Sequence, residues 1–252
     1  MSGRMVPAIV SRVATRLRQR PATTRAELLV LLGVLVGALG VFAFVALSGE
    51  VLEGDTLAFD RYILLALRSS ADLADPIGPS WLELVARDIT SLGGYSVLGL
   101  ATVAVLGYLL LARKRASALL VVLCVLGGWA LSSGLKLLFQ RPRPDIVPHA
   151  VATYTPSFPS QHAMLSAVVY LTLGALLMRV MPDRPTKLYV IAIAVLLTLM
   201  VGSSRVYLGV HWPTDVLAGW CLGAAWALTC WMVALWLQGR GTVEPPPTTP
   251  PV

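Results

Sequence analysis

Residues 116–135 read ASALLVVLCVLGGWALSSGL, and Lys136 followed by LLFQRPRP (137–144) closes the stretch. No residue between 116 and 135 is charged. A helix of that length rises about 1.5 Å per residue and covers about 30 Å, the thickness of a bilayer's hydrocarbon core. The change to Lys136, Arg141 and Arg143 then marks a membrane boundary.

Five further runs of the same kind lie to either side: Leu28–Leu47, Ile89–Ala112, Ala163–Met178, Leu188–Ser204 and Val216–Gly239. The runs are continuous rather than alternating, which predicts helices and not a barrel. The fourth and fifth in chain order are slightly short and are expected to extend through their polar flanks. The expected fold is therefore all-α: a polytopic membrane protein of six transmembrane helices. With 56% hydrophobic and 13% charged residues, the 252-residue chain is too apolar for an ordinary soluble domain. Its length suits one domain, expected over 27–239, between a basic segment (1–26) and a Pro-rich, disordered tail (240–252). The first run is too long for a signal peptide and lacks a convincing cleavage site, so it reads as a retained anchor.

The net charge of +7 does not mark a nucleic-acid surface. Arginines 4, 12, 16, 18, 20 and 25 crowd the start, and no basic face with aromatic partners is visible. Basic residues held in the cytoplasm explain the distribution better. Arg113-Lys114-Arg115 joins the second and third runs, and Arg184 and Lys187 lie between the fourth and fifth. Both termini then fall in the cytoplasm. The loop from Glu50 to Asp88 falls outside and is acidic, with eight Asp or Glu against three Arg. Within it, Leu57–Leu67 and Trp81–Val85 read as short interfacial helices, with a simple solvated connection as the alternative. The expected location is a plasma membrane or bacterial inner membrane. Cys124, Cys221 and Cys230 sit in apolar runs without a CxxC pair and read as small buried hydrophobes.

The same topology places the outer ends of helices three to six in one leaflet. Lys136, Arg141 and Arg143 end the third; Ser160, Gln161 and His162 open the fourth; Ser204-Arg205 ends the fifth; His211 to Asp215 precede the sixth. Cations near a membrane core are costly, so Lys136, Arg143 and Arg205 are expected to share an anionic ligand. Ser160 is placed to cap the fourth helix, leaving the amides of Gln161 and His162 free to donate to a phosphate. Pro213 suits a first helical turn, and Asp215 can fold back to fix the tautomer of His211, leaving the other ring nitrogen as nucleophile or base. His162 can protonate a leaving alkoxide. Each residue alone has a plainer role: Lys136 snorkelling, Arg141 and Arg143 anchoring, Asp215 complementing a helix dipole, His149 as an ordinary loop histidine.

These residues resemble the type 2 phosphatidic acid phosphatase family, which shares its site with vanadium-dependent haloperoxidases. The family pattern is Lys-x6-Arg-Pro, Pro-Ser-Gly-His and Ser-Arg-x5-His-x3-Asp. Here it reads as Lys136 with Arg143-Pro144, as Pro159-Ser160-Gln161-His162, and as Ser204-Arg205 with His211 and Asp215. The spacing selects Arg143 over Arg141, and Gln161 replaces the family glycine. The resemblance implies phosphate binding by Lys136, Arg143, Ser160, Gln161 and Arg205, nucleophilic attack by His211 oriented by Asp215, and proton transfer by His162. It implies a lipid phosphate substrate, no metal and no other cofactor. A lipid phosphotransferase using the same residues, a transporter and a haloperoxidase are the competing readings. Gly219 and Gly223 form a GxxxG that would serve packing inside the bundle or a homodimer, the former being expected.

Overall fold

The computed structural model describes residues 25–151, 153–240 and 243. The expected basic segment 1–26 and Pro-rich tail 240–252 therefore lie outside the described residues, except at Arg25, Ala26, Arg240 and Val243. Among the described residues eight helices follow in order: α1 (Arg25–Glu53), α2 (Leu57–Ala66), α3 (Ser80–Ser91), α4 (Tyr95–Leu111), α5 (Arg115–Phe139), α6 (Gln161–Met178), α7 (Arg184–Tyr207) and α8 (Pro213–Gly239). Five of them are long and apolar enough to cross a membrane, or six if α3 and α4, which meet at a bend of 44°, count as one broken span.

That bend corrects one expectation. The second apolar run was expected to be a single segment over Ile89–Ala112, but it is broken between Ser91 and Tyr95. The cause is Gly93: a Cβ there would lie 2.3 Å from Val201 Cγ1, so only glycine lets the corner close against α7. Tyr170 donates its hydroxyl to Leu92 O at 2.7 Å and pins the corner to α6. The two interfacial segments are helical, as α2 and α3, the second running past its expected end.

α6 is the centre of the bundle. It packs against α5, α7 and α8, and residues 163–169 are all buried. Around it, large apolar side chains such as Leu35, Phe42, Leu100 and Leu111 point outward. In water such an exterior would be unfavourable, whereas a lipid bilayer is the solvent that accepts it. Indole N–H groups within the bundle find backbone partners on neighbouring helices: Trp220 donates to Thr198 O at 3.0 Å and Trp226 to Cys124 O at 2.8 Å.

The GxxxG on α8 is occupied inside the bundle. A Cβ at Gly219 would meet Ser160 O at 2.7 Å, and one at Gly223 would meet Met164 O at 2.5 Å. The glycines thus set how closely α8 lies along α6, and with it the position of Ser160 relative to Asp215. Ser160 N donates to Asp215 O at 2.9 Å across this contact. Gly223→Ala should therefore destabilise the protein by about 1–3 kcal/mol through overpacking. The check is thermal unfolding in detergent alongside the oligomeric state; an unchanged melting temperature with a changed oligomeric state would mean that the stripe serves a dimer instead.

Candidate active site

The chain between α5 and α6 carries the alternation Arg141-Pro142-Arg143-Pro144. Prolines at 142 and 144 fix φ in the segment, and the two arginines point to different sides. Arg141 is buried and turns inward: Nη1 lies 2.6 Å from Asp215 Oδ1, and Nη2 lies 2.8 Å from Asp60 Oδ2. Arg143 turns the other way. Its Nη1 donates to Val210 O at 2.6 Å and lies 3.2 Å from His211 Nε2, while its Nε donates to Thr155 O at 2.8 Å.

His211 is 1% exposed, in the turn before α8. Its Nδ1 lies 3.3 Å from Asp215 Oδ2. The same carboxylate oxygen accepts Trp212 N–H at 3.0 Å, closing the first turn of α8, and accepts a short hydrogen bond from Ser157 Oγ. A carboxylate facing Nδ1 favours the tautomer protonated there, leaving the Nε2 lone pair free. Burial, then the charges of Arg143, Arg205 and Lys136, and lastly His162, hold the His211 imidazole well below its ordinary pKa. Four residues from three further helix ends and a loop therefore surround one ring.

Each of the four is itself held. Lys136, one turn from the end of α5, donates a short hydrogen bond to Pro156 O. Arg205, near the end of α7, donates to Thr90 Oγ1 on α3 at 3.0 Å, and its Nε has no protein partner. His162 packs under the α3–α4 corner, where a Cβ on Gly93 would stand 3.3 Å from its Cδ2. Neither Lys136, Arg143 nor Arg205 has a carboxylate within ion-pair distance among the described residues.

Ser160 differs from expectation. It occupies the N-cap position of α6, but its side chain makes no cap hydrogen bond. Its Oγ is buried without a partner, and the first amides of α6 precede the first intrahelical bond, from Met164 N to Ser160 O at 2.9 Å. The helix start thus presents a hydroxyl and several N–H groups together, with half-buried Gln161 as its first residue. This arrangement suits an anion. His149 lies apart: it is exposed, and its Nε2 is 2.7 Å from Pro144 O.

Asp60, Ser157, Thr214 and Thr90 were not singled out from the sequence. Their partners are remote in the chain, and the one available signal was an acidic residue inside the apolar face of the α2 segment.

A membrane bundle with a buried imidazole among unpaired cations defines a class, that of enzymes handling phosphate at a bilayer boundary. The chain belongs to the PAP2 superfamily, whose family model matches residues 117–238 and so includes every motif residue from Lys136 to Asp215. It is accordingly a hydrolase acting on phosphoester bonds. It is 39% identical over 145 residues to phosphatidylglycerophosphatase B of Bacillus subtilis, covering 57% of this chain and 70% of that protein. It is also 34% identical over 142 residues to decaprenylphosphoryl-5-phosphoribose phosphatase of Mycobacterium tuberculosis, covering 55% and 73%. In three dimensions it is similar to the crystal structure of a transmembrane PAP2 type phosphatidylglycerolphosphate phosphatase from Bacillus subtilis, with a TM-score of 0.65 and 29% identity. That superposition covers 81% of this chain and 96% of the other.

The lowered proton affinity of His211 sets a pH dependence. A group whose folded pKa lies below its ordinary value stays neutral until the solution is more acidic than that ordinary value. His211 should therefore remain a neutral imidazole at about pH 6. Ring-carbon NMR of the histidine-labelled protein, assigned with the His211→Ala variant, reads this directly; half-protonation at or above 6.5 would contradict the cationic surroundings.

Proposed function

We propose that the protein dephosphorylates a lipid phosphate, a phosphomonoester or a pyrophosphate, at the extracytoplasmic face of a membrane through a phosphohistidine. The observation that carries this reading is the set of three cations without carboxylate partners among the described residues, Lys136 and Arg205 buried and Arg143 half-buried, around a buried, neutral His211. Cations in such a place need a counter-charge, and a phosphate group supplies it.

In the proposed reaction Lys136, Arg143 and Arg205 hold the phosphoryl oxygens, with Ser160 Oγ and the amide of Gln161 completing the contact. Arg143 and Arg205 can give forked hydrogen bonds and Lys136 a point charge. His211 Nε2 attacks phosphorus, the bond from phosphorus to the lipid oxygen breaks, and His162, in its imidazolium form beside the bound phosphate anion, gives its proton to the departing alkoxide. The imidazole then carries positive charge, which Asp215 stabilises through Nδ1–H. Water next attacks phosphorus while His162 takes a proton from it, the P–N bond breaks, and inorganic phosphate leaves with His211 restored. Protein cations supply the charge stabilisation throughout, so no metal ion enters a step.

The orientation rests on charge. Arg113, Lys114, Arg115, Arg184 and Lys187 lie at the helix ends opposite the site, which the positive-inside tendency assigns to the cytoplasm. The relatives' names point to phosphatidylglycerol phosphate and polyprenyl-linked phosphates as first substrates to try. The test uses sealed right-side-out vesicles supplied externally with phosphatidylglycerol phosphate. Wild-type protein should release phosphate in the presence of EDTA and form an alkali-stable phosphoenzyme. His211→Ala should fold and do neither. Normal release by that variant, or loss in EDTA restored by a divalent ion, would refute the mechanism.

A further inference from the structure

Asp60 lies on α2, outside the residues matched by the family model, and is fully buried. Its Oδ1 accepts Thr214 N–H at 2.9 Å; its Oδ2 accepts Thr214 Oγ1–H at 2.7 Å and Arg141 Nη2 at 2.8 Å. The other nitrogen of Arg141 donates to Asp215 Oδ1 at 2.6 Å and to Thr214 Oγ1 at 2.9 Å. Thr56, just before α2, accepts from Arg141 Nη2 at 3.2 Å. The interfacial helix therefore reaches into the turn that carries His211 and is joined to it by a charged bridge.

We propose that Asp60 is a positioning residue for phosphoryl transfer, acting through Arg141 to keep Asp215 turned towards His211. An arginine facing a single carboxylate tends to engage both of its oxygens with a two-pronged contact. Were Arg141 to do so, Asp215 Oδ2 would be drawn from Trp212 N–H, Ser157 Oγ and His211 Nδ1. Asp60 prevents this by claiming Nη2. Each carboxylate then holds one prong of the guanidinium, and Oδ2 stays with the imidazole side.

Charge gives the arrangement a second effect. Asp60, Arg141 and Asp215 together carry one net negative charge, whereas Arg141 and Asp215 alone would be neutral. The other groups facing His211 are Arg143, Arg205, Lys136 and His162, none of them acidic. The positive charge that forms on the ring when it bonds to phosphorus therefore depends on this one cluster. A carboxylate on α2 thus helps to stabilise the phosphoenzyme without touching substrate.

This inference rests on the phosphohistidine reading, and the experiment separates the two. Asp60→Asn, Arg141→Lys, their double variant and His211→Ala are assayed with phosphatidylglycerol phosphate in detergent. Sites are counted as the folded, monodisperse fraction in size-exclusion chromatography, so that misfolded protein does not enter the rate. Asp60→Asn should lower kcat per site about tenfold, with KM within about twofold, because ground-state phosphate contacts are untouched. The double variant should be no slower than Arg141→Lys alone, since both changes break one bridge. If Asp60→Asn does not fold, Arg141→Lys carries the test, keeping the charge but losing the second prong; the same kcat-only loss is expected. Wild-type kcat per site in the variant that folds, or fully additive losses in the double variant, would overturn the role of Asp60. Activity in His211→Ala would instead overturn the phosphohistidine reading itself.

Discussion

The carboxylate of Asp215 is the point on which the rest of the site turns. It is 0% exposed and engages four groups, Arg141, Ser157, His211 and the backbone N–H of Trp212, while the backbone carbonyl of the same residue accepts the N–H of Ser160. A buried carboxylate is costly unless it is paired and hydrogen-bonded, and removal of one partner of such a pair costs about 3–5 kcal/mol. The structure around Asp215 is therefore hard to deform. It fixes the start of α8, the ring of His211 and the head of α6 relative to one another.

Against that satisfied centre stand three cations arranged differently. Arg141 has two carboxylates, whereas Lys136, Arg143 and Arg205 have only neutral partners among the described residues: carbonyl and hydroxyl oxygens and, for Arg143, the ring of His211. Neutral oxygens do not offset a buried positive charge as a carboxylate does. The division is the physical basis of the proposed function: one arginine is held between two carboxylates, and three cations have none. Packing keeps them there, through the close approach of α8 to α6 and the glycine corner beside His162.

Much of this arrangement could be read from the chain. The apolar runs gave the spans, because a bilayer imposes a length that residue counts reveal directly. The topology of the runs placed Lys136, Arg143, His162, Arg205, His211 and Asp215 at helix ends on one side, and Arg143, Arg205, Lys136 and His162 all act on His211 in the structure. What could not be read was the supporting set. Asp60 meets Thr214 across 154 residues, and Ser157 meets Asp215 across 58, with no local pattern to announce either pairing. The break after Ser91 depended on how near Val201 comes to Gly93, a contact 108 residues away in the chain that no local pattern announces. Ser160 had the residue type of a helix cap, but the geometry turned its hydroxyl elsewhere.

The most direct test of the central claim is a structure determined with orthovanadate, which mimics a phosphoryl group undergoing attack. The account predicts vanadium bonded to His211 Nε2, with its oxygens in contact with Lys136, Arg143, Arg205 and Ser160 Oγ. An anion bound elsewhere, or one held by the cations with His211 turned away from it, would contradict the account.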